Sequence, residues 1–195
     1  NKQTFKLEDP DLENNNYKKI IYIGSIRLAN NLKELILAAD ILKNEPNITF
    51  FIYGDGDDRE ALENFCIKNK INNVFFKQKW IDPHYVPYLL SQSTVNILNY
   101  KSGNFGKYGG SQSKLFQYLA SGKPICSNLK MMYCPINKYN LGIAKEFKTT
   151  LEYAEAISFL ANLDEKSSNE MSIRSKEVAA KFDYEVLTND LVKIF

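Results

Sequence analysis

The residues best suited to chemistry lie in Gly109-Gly-Ser-Gln-Ser-Lys114. Two glycines, two hydroxyls, an amide and a cation run straight into a helical pattern there. Free backbone N–H groups at a helix start, with clearance made by glycine, form a seat for phosphate. Gly110, Ser111, Gln112 and Ser113 are the candidate donors, with Lys114 beside them. Lys114 in the first turn opposes the helix dipole, and a nearby anion would offset that cost. The plainer alternative is a Ser N-cap followed by a solvated lysine. Arg27 directly follows the first apolar run, and its guanidinium either grips a phosphate with two N–H groups or lies on the surface. Gly54-Asp-Gly56 allows a close backbone approach, although a strand-ending turn needs the same residues. Trp80, next to Lys79, either caps the core or lies where neighbouring backbone receives a base.

Several chemistries are excluded. Neither a G-x-G-x-x-G fingerprint nor a G-x-x-x-x-G-K-[ST] loop occurs, which argues against nicotinamide dehydrogenases and P-loop kinases. The single histidine, His84, has no ligand cluster, so no metal is expected. Cys66, Cys126 and Cys134 are odd in number and form no Cys-x-x-Cys pair, which predicts reduced thiols. Charge is unevenly placed. From Pro83 to Lys145 there are 63 residues with seven lysines and no acid, whereas the other 132 carry 18 basic and 23 acidic groups. Such a stretch suits an anionic ligand. It leaves no paired carboxylates for glycosidase chemistry. No nucleic-acid motif or arginine-rich face accompanies the lysines, so nucleic acid is not expected as a partner.

These residues need a scaffold, and 195 residues with 44% hydrophobic and 25% charged composition suit one α/β domain. Apolar runs at Lys19–Gly24, Ile48–Tyr53, Val74–Lys77, Thr94–Tyr100, Pro124–Ser127 and Leu141–Ala144 read as strands. Helical spacing separates most of them. Asn31–Glu34, Thr149–Glu152 and Ser167–Glu170 resemble capping boxes, and Asp82-Pro83 and Asp183 are further helix starts. The helix Ser113–Ser121 ends at Gly122, and Lys101–Ser111, with four glycines, reads as a loop. The expected fold is a Rossmann-like, doubly wound parallel sheet of about six strands with helices on both faces. Residues 1–17 read as a lead-in tail or interdomain linker, with the acidic, Asn-rich Glu8–Asn16 outside the core. Ligands of such sheets bind beyond the carboxyl ends of the strands.

Tyr22–Arg27, Leu32–Ala39, Ile52–Gly56, Asn73–Phe76 and Ser113-Lys-Leu-Phe-Gln-Tyr-Leu-Ala-Ser-Gly-Lys-Pro124 together resemble the C-terminal, donor-binding half of a GT-B glycosyltransferase. The type is family 4 (glycosyl transferases group 1), closest to bacterial enzymes of capsule and O-antigen synthesis. Residues 18–195 fit it, and 183–195 resemble the helix that crosses back to the partner domain. The resemblance implies retaining sugar transfer from a nucleotide diphosphate sugar to a saccharide or lipid-linked acceptor, with no required cofactor. It sets Gly24, Ser25 and Arg27 against the diphosphate. Gly54, Lys79 and Trp80 would border the nucleoside, and Gly110 to Lys114 would face the distal phosphate and donor sugar.

The departures are specific. The family's two glutamates fall on Gly109 and Gln117, its arginine position is displaced to Arg27 behind Ser25, and its downstream lysine becomes Asn31, with Lys33 close by. Gln117 can still hydrogen-bond a ribose. Starting at Asn1, the chain reads as a piece of a longer protein, without the N-terminal acceptor domain and its catalytic histidine. It is therefore expected to bind a nucleotide sugar and transfer nothing alone. Its partner would be that domain or a separate subunit, and in the second case the chain is a non-catalytic donor-binding module. The absence of an apolar span or signal segment, with reduced thiols, suggests a cytoplasmic setting, the intact enzyme reaching the inner face of the membrane only peripherally.

Overall fold

The computed structural model describes residues 5–45, 47–101, 103 and 113–193. Six parallel strands form one sheet: β1 Lys18–Ile23, β2 Ile48–Tyr53, β3 Val74–Phe76, β4 Val95–Leu98, β5 Ile125–Ser127 and β6 Gly142–Ala144. Their order is β3-β2-β1-β4-β5-β6, with Ile20 in register with Phe50 on one side and Val95 on the other. Chain order reverses between β1 and β4, which opens a crevice at their carboxyl ends. All six residues of β2 are buried, as expected for a strand covered on both faces.

Helices α2 Leu32–Ile41, α3 Arg59–Lys68 and α7 Thr150–Ala161 share one apolar cluster with Ile20, Phe50 and Val95. On the opposite face, α4 Val86–Ser91, α5 Ser113–Ser121, α6 Pro135–Lys138 and α8 Glu165–Ala180 contribute to a second cluster. Leu115, Tyr118 and Leu119 bury the inner side of α5, and each such side chain contributes roughly 1.5–3 kcal/mol. The expected fold is therefore the observed one.

Three local expectations are corrected. Residues 5–17 are not outside the core. A short helix, α1 Pro10–Glu13, buries Leu12 completely against Ile21, Phe51, Tyr53 and Leu89. Lys77 fixes this segment through Asp9 at 3.0 Å and Asp11 at 2.7 Å, and Tyr53 donates to Asp9 Oδ2 at 3.2 Å. One helical turn is too short to show a period, so its apolar anchor was not visible in the sequence. Ser167 does not start a helix either. Asp164 caps α8 by accepting from both the backbone N–H and the hydroxyl of Ser167, each at 2.8 Å. Asn31 does not cap through its side chain. It lies at φ +45° and donates to Glu34 Oε2 at 2.7 Å.

The last helix, α9 Tyr184–Val192, is capped by Asp183, as expected, and buries none of its residues. Leu187 and Leu191 are exposed there.

If residues 5–17 are integral, Leu12→Ala should destabilise the chain by about 2–5 kcal/mol in urea titrations. A loss below about 0.5 kcal/mol, the range of ordinary surface substitutions, would show that the segment is an appendage.

Candidate functional site

Three strand-ending turns are laced together at the carboxyl edge of the sheet. The Gly24 N–H donates to Tyr53 O at 2.9 Å, Ile26 N–H to Asp55 O at 2.9 Å, and Gly54 N–H to Gln78 O at 2.9 Å. Gly54 has φ +126°, and a Cβ there would lie 1.9 Å from Gly24 O. Both the conformation and the clearance require glycine. Because these glycine N–H groups are already paired, Gly24 and Gly54 provide close approach rather than hydrogen-bond donors.

Arg59 holds the same edge from behind. Its guanidinium donates to the carbonyls of Gly54 and, at 2.8 Å, Lys77, while Nε pairs with Glu63 at 2.7 Å. It is 7% exposed, so it braces the turns and does not face ligand. No residue pattern marks this role, since an arginine opening a helix is ordinarily solvated.

A second brace comes from buried amides. Asn99 donates to Asn30 O at 2.7 Å and Asn31 O at 2.8 Å, and Tyr153 donates to Asn99 Oδ1 at 2.8 Å. Asn128 donates to Tyr100 O at 2.8 Å and to Glu34 Oε2 at 3.1 Å. The loop after β1 is thus tied to the ends of β4 and β5.

The laced turns border a cleft of about 300 Å³ whose walls include Gly24, Ser25, Gly54, Asp55, Lys79 and Trp80. Five candidates from three separate segments therefore meet. Trp80 is 72% exposed, so it stands on the rim and does not cap the core. Lys79 lies 3.9 Å from Asp55, both well exposed. Arg27, Ser113 and Gln117 are exposed and do not line this cleft. Gly109, Gly110, Ser111 and Gln112 lie outside the described residues. His84 is a surface residue beside Asp82, with Nδ1 at 2.7 Å from its carboxylate. Among the described residues, no group of three or more His, Cys, Asp or Glu could hold a metal, and all three cysteines are free and buried.

Lys114 is the most informative member. From the first turn of α5 it reaches back to β1, where Nζ donates to Tyr22 Oη at 3.2 Å and stands 4.7 Å from the centre of the Tyr22 ring. Tyr22 in turn donates to Ser25 O at 2.7 Å, linking the lysine to the cleft wall. A Cβ on Gly24 would lie 2.1 Å from Nζ, so the tip of the lysine passes directly over this glycine, whose φ of +143° itself disfavours any side chain. Burial lowers the Lys114 pKa from 10.5 to about 8, and among the described residues no carboxylate opposes that effect. An ammonium held beside a cleft without a counterion is prepared to meet an anion.

Comparison with known proteins adds the family. The profile of a family described as glycosyl transferases group 1 matches residues 4–178. No curated protein matches the chain. Among solved structures, a TarM variant of S. aureus in complex with fondaparinux, alpha-GlcNAc-glycerol and UDP is 18% identical with TM-score 0.70, over 90% of this chain and 35% of that one. An E. coli trehalose-6-phosphate structure with bound UDP-2-fluoro glucose is 14% identical with TM-score 0.73, over 94% and 44%. The pneumococcal O-GlcNAc transferase GtfA in complex with UDP and GlcNAc is 17% identical with TM-score 0.67, over 93% and 36%. At these identities the likeness concerns the fold, and the chain spans less than half the length of each of the three.

Lys114 also has a measurable signature. Folded, it loses its proton at about 8, whereas an unfolded lysine keeps it to 10.5. Between those values the unfolded state binds more protons, so stability rises with pH across that window. The difference between wild type and Lys114→Met should isolate this contribution. Urea titrations are expected to show a rise from pH 8 to 10.5 that is smaller in the variant. Identical slopes would mean that Lys114 is as well hydrated when folded as when unfolded.

Proposed function

The chain belongs to the glycosyl transferases group 1 family, and on that premise we propose that it is the donor-binding half of a retaining glycosyltransferase. Its ligand is a nucleotide diphosphate sugar. The product is a glycosylated saccharide or lipid-linked acceptor of bacterial surface-polysaccharide synthesis. The observation carrying this reading is the unopposed Lys114 ammonium, reached over Gly24 at the edge of the cleft.

The mechanism follows from charge. As the bond between the donor sugar and diphosphate breaks, negative charge grows on the leaving phosphate. Lys114, near Gly24, and the N-terminal end of α5 would stabilise that charge. Gly24 and Gly54 let the diphosphate approach the backbone closely, and Lys79 and Trp80 border the nucleoside. Ser25 and Arg27 supply further polar contacts to the phosphates, and Gly110, Ser111, Gln112 and Ser113 face the distal phosphate and sugar. No metal is needed where lysine and backbone dipoles carry this neutralisation. The acceptor and its base belong to a second, N-terminal Rossmann domain or to a partner subunit. The exposed apolar side chains of α9 suit contact with that domain. The acceptor side of the intact enzyme works in the cytoplasm, meeting the inner membrane face where the acceptor is lipid-linked.

A second reading, a non-catalytic donor-binding subunit, is favoured by Gln117. It is exposed on α5 and lacks the charge of a glutamate at this position.

Calorimetric titration with UDP, GDP and their sugar conjugates tests the first reading. One nucleotide should bind saturably, about tenfold or more weaker in Lys114→Ala, as for loss of a charge-assisted hydrogen bond. Affinity should fall as pH rises through about 8, because only the protonated ammonium opposes phosphate. Binding that ignores both the substitution and the pH would remove Lys114 from the site, and no binding by any nucleotide would reject the donor-half reading. Sugar transfer once an acceptor-binding partner is added would separate the enzyme from the non-catalytic subunit.

A further inference from the structure

All strands run parallel, so the end opposite the cleft is the end where they begin. Three lysines gather there. Lys19 is the second residue of β1, and its carbonyl accepts from Thr94 N–H at 2.8 Å at the start of β4. Lys123 lies just before β5, following Gly122 at the end of α5. Lys176 comes from α8, which packs on α5. Its stem lies across Gly122, where a Cβ would be 2.7 Å from Lys176 Cε.

This grouping is costly in the free protein. Lys19 is 4% exposed, and the register of β1, β4 and β5 puts it in one row with Thr94 and Lys123 at the start of the sheet. Burial lowers the pKa of Lys123, and the charges of Lys176 and Lys19 lower it further. No ion pair or side-chain hydrogen bond holds any of the three ammonium groups among the described residues. Lys77, by contrast, is paired with both Asp9 and Asp11. Three neighbouring lysines, none of them paired among the described residues, suit a compact dianion whose oxygens accept from ammonium groups.

We propose that Lys19, Lys123 and Lys176 form a second anion site, at the opposite end of the sheet from the cleft, that takes a phosphate monoester group. The phosphate is either free or the headgroup of a lipid. The site does not depend on what the cleft binds.

The test follows lysine side-chain NMR signals of the full chain during titration with inorganic phosphate, at constant ionic strength set with chloride. The Nζ signals of Lys19, Lys123 and Lys176 should move saturably and together. Lys123→Met should weaken that response about tenfold, as for loss of a charge-assisted hydrogen bond, while Lys114→Met leaves it unchanged. Lys123→Met should also raise the unfolding midpoint without phosphate, because repulsion is relieved. That shift shows that loss of binding does not come from misfolding. Sedimentation with phosphatidylcholine vesicles, with and without phosphatidic acid, identifies the source. Cosedimentation that requires phosphatidic acid and Lys123 assigns a lipid headgroup, and saturation by phosphate without cosedimentation assigns a soluble phosphate. Signals that stay still in phosphate, or a phosphate response unchanged in Lys123→Met, would overturn the proposal.

Discussion

The carboxyl edge of the sheet depends on how closely two turns can pass. With Gly54 Cα against the carbonyl of Gly24, the ends of β1 and β2 are nearer to each other than any side chain permits. That approach allows the ladder from Gly24 to Tyr53 and from Gly54 to Gln78 to continue beyond the strands. Arg59 then locks two of the same turns from the buried side, and Asn99 locks the third loop from below. A cleft walled by backbone results, held by groups that themselves point away from it. Such preorganisation leaves little to rearrange when a ligand arrives.

Rigid walls do not by themselves attract an anion, and here the charge comes from outside the turns. Lys114 starts on α5 and ends over β1, using the space that Gly24 leaves open. Its contacts are aromatic and hydroxylic, with Tyr22 below it, so its charge is positioned but not neutralised. A carboxylate there would steady the free protein and compete with phosphate. Tyr22 supports the cation through its ring face and leaves it available, an arrangement weaker than an ion pair by design of the chemistry.

The parts that were legible in the sequence are those carried by periodicity and punctuation. Six apolar runs gave six strands, and the helix Ser113–Ser121 has the expected ends. Segment-level reasoning also brought Gly24, Ser25, Gly54, Lys79 and Trp80 to one edge, because strand direction alone places them there. What escaped were features decided by tertiary contact. Leu12 is buried against Ile21, Phe51, Tyr53 and Leu89, and Lys77 holds the flanking Asp9 and Asp11 from more than sixty residues away. Arg59 and Asn99 act through carbonyls, which carry no residue signature. Ser167 satisfied a local capping pattern, yet Asp164, three residues earlier, was the better acceptor for its free N–H.

The acid-free stretch from Pro83 to Lys145 acquires a physical meaning from this geometry. It supplies α5 from end to end, and α5 spans the sheet between the cleft and the opposite edge. Lys114 at one end and Lys123 just past the other are both partly buried, and burial lowers both pKa values. Where the stretch ends, Lys145 does have an acidic partner, Glu152. Excluding acids over so long a segment keeps both ammonium groups unpaired, at some expense to stability. One helix therefore has a partly buried, unpaired lysine near each end, and because the two lie far apart their burial costs add.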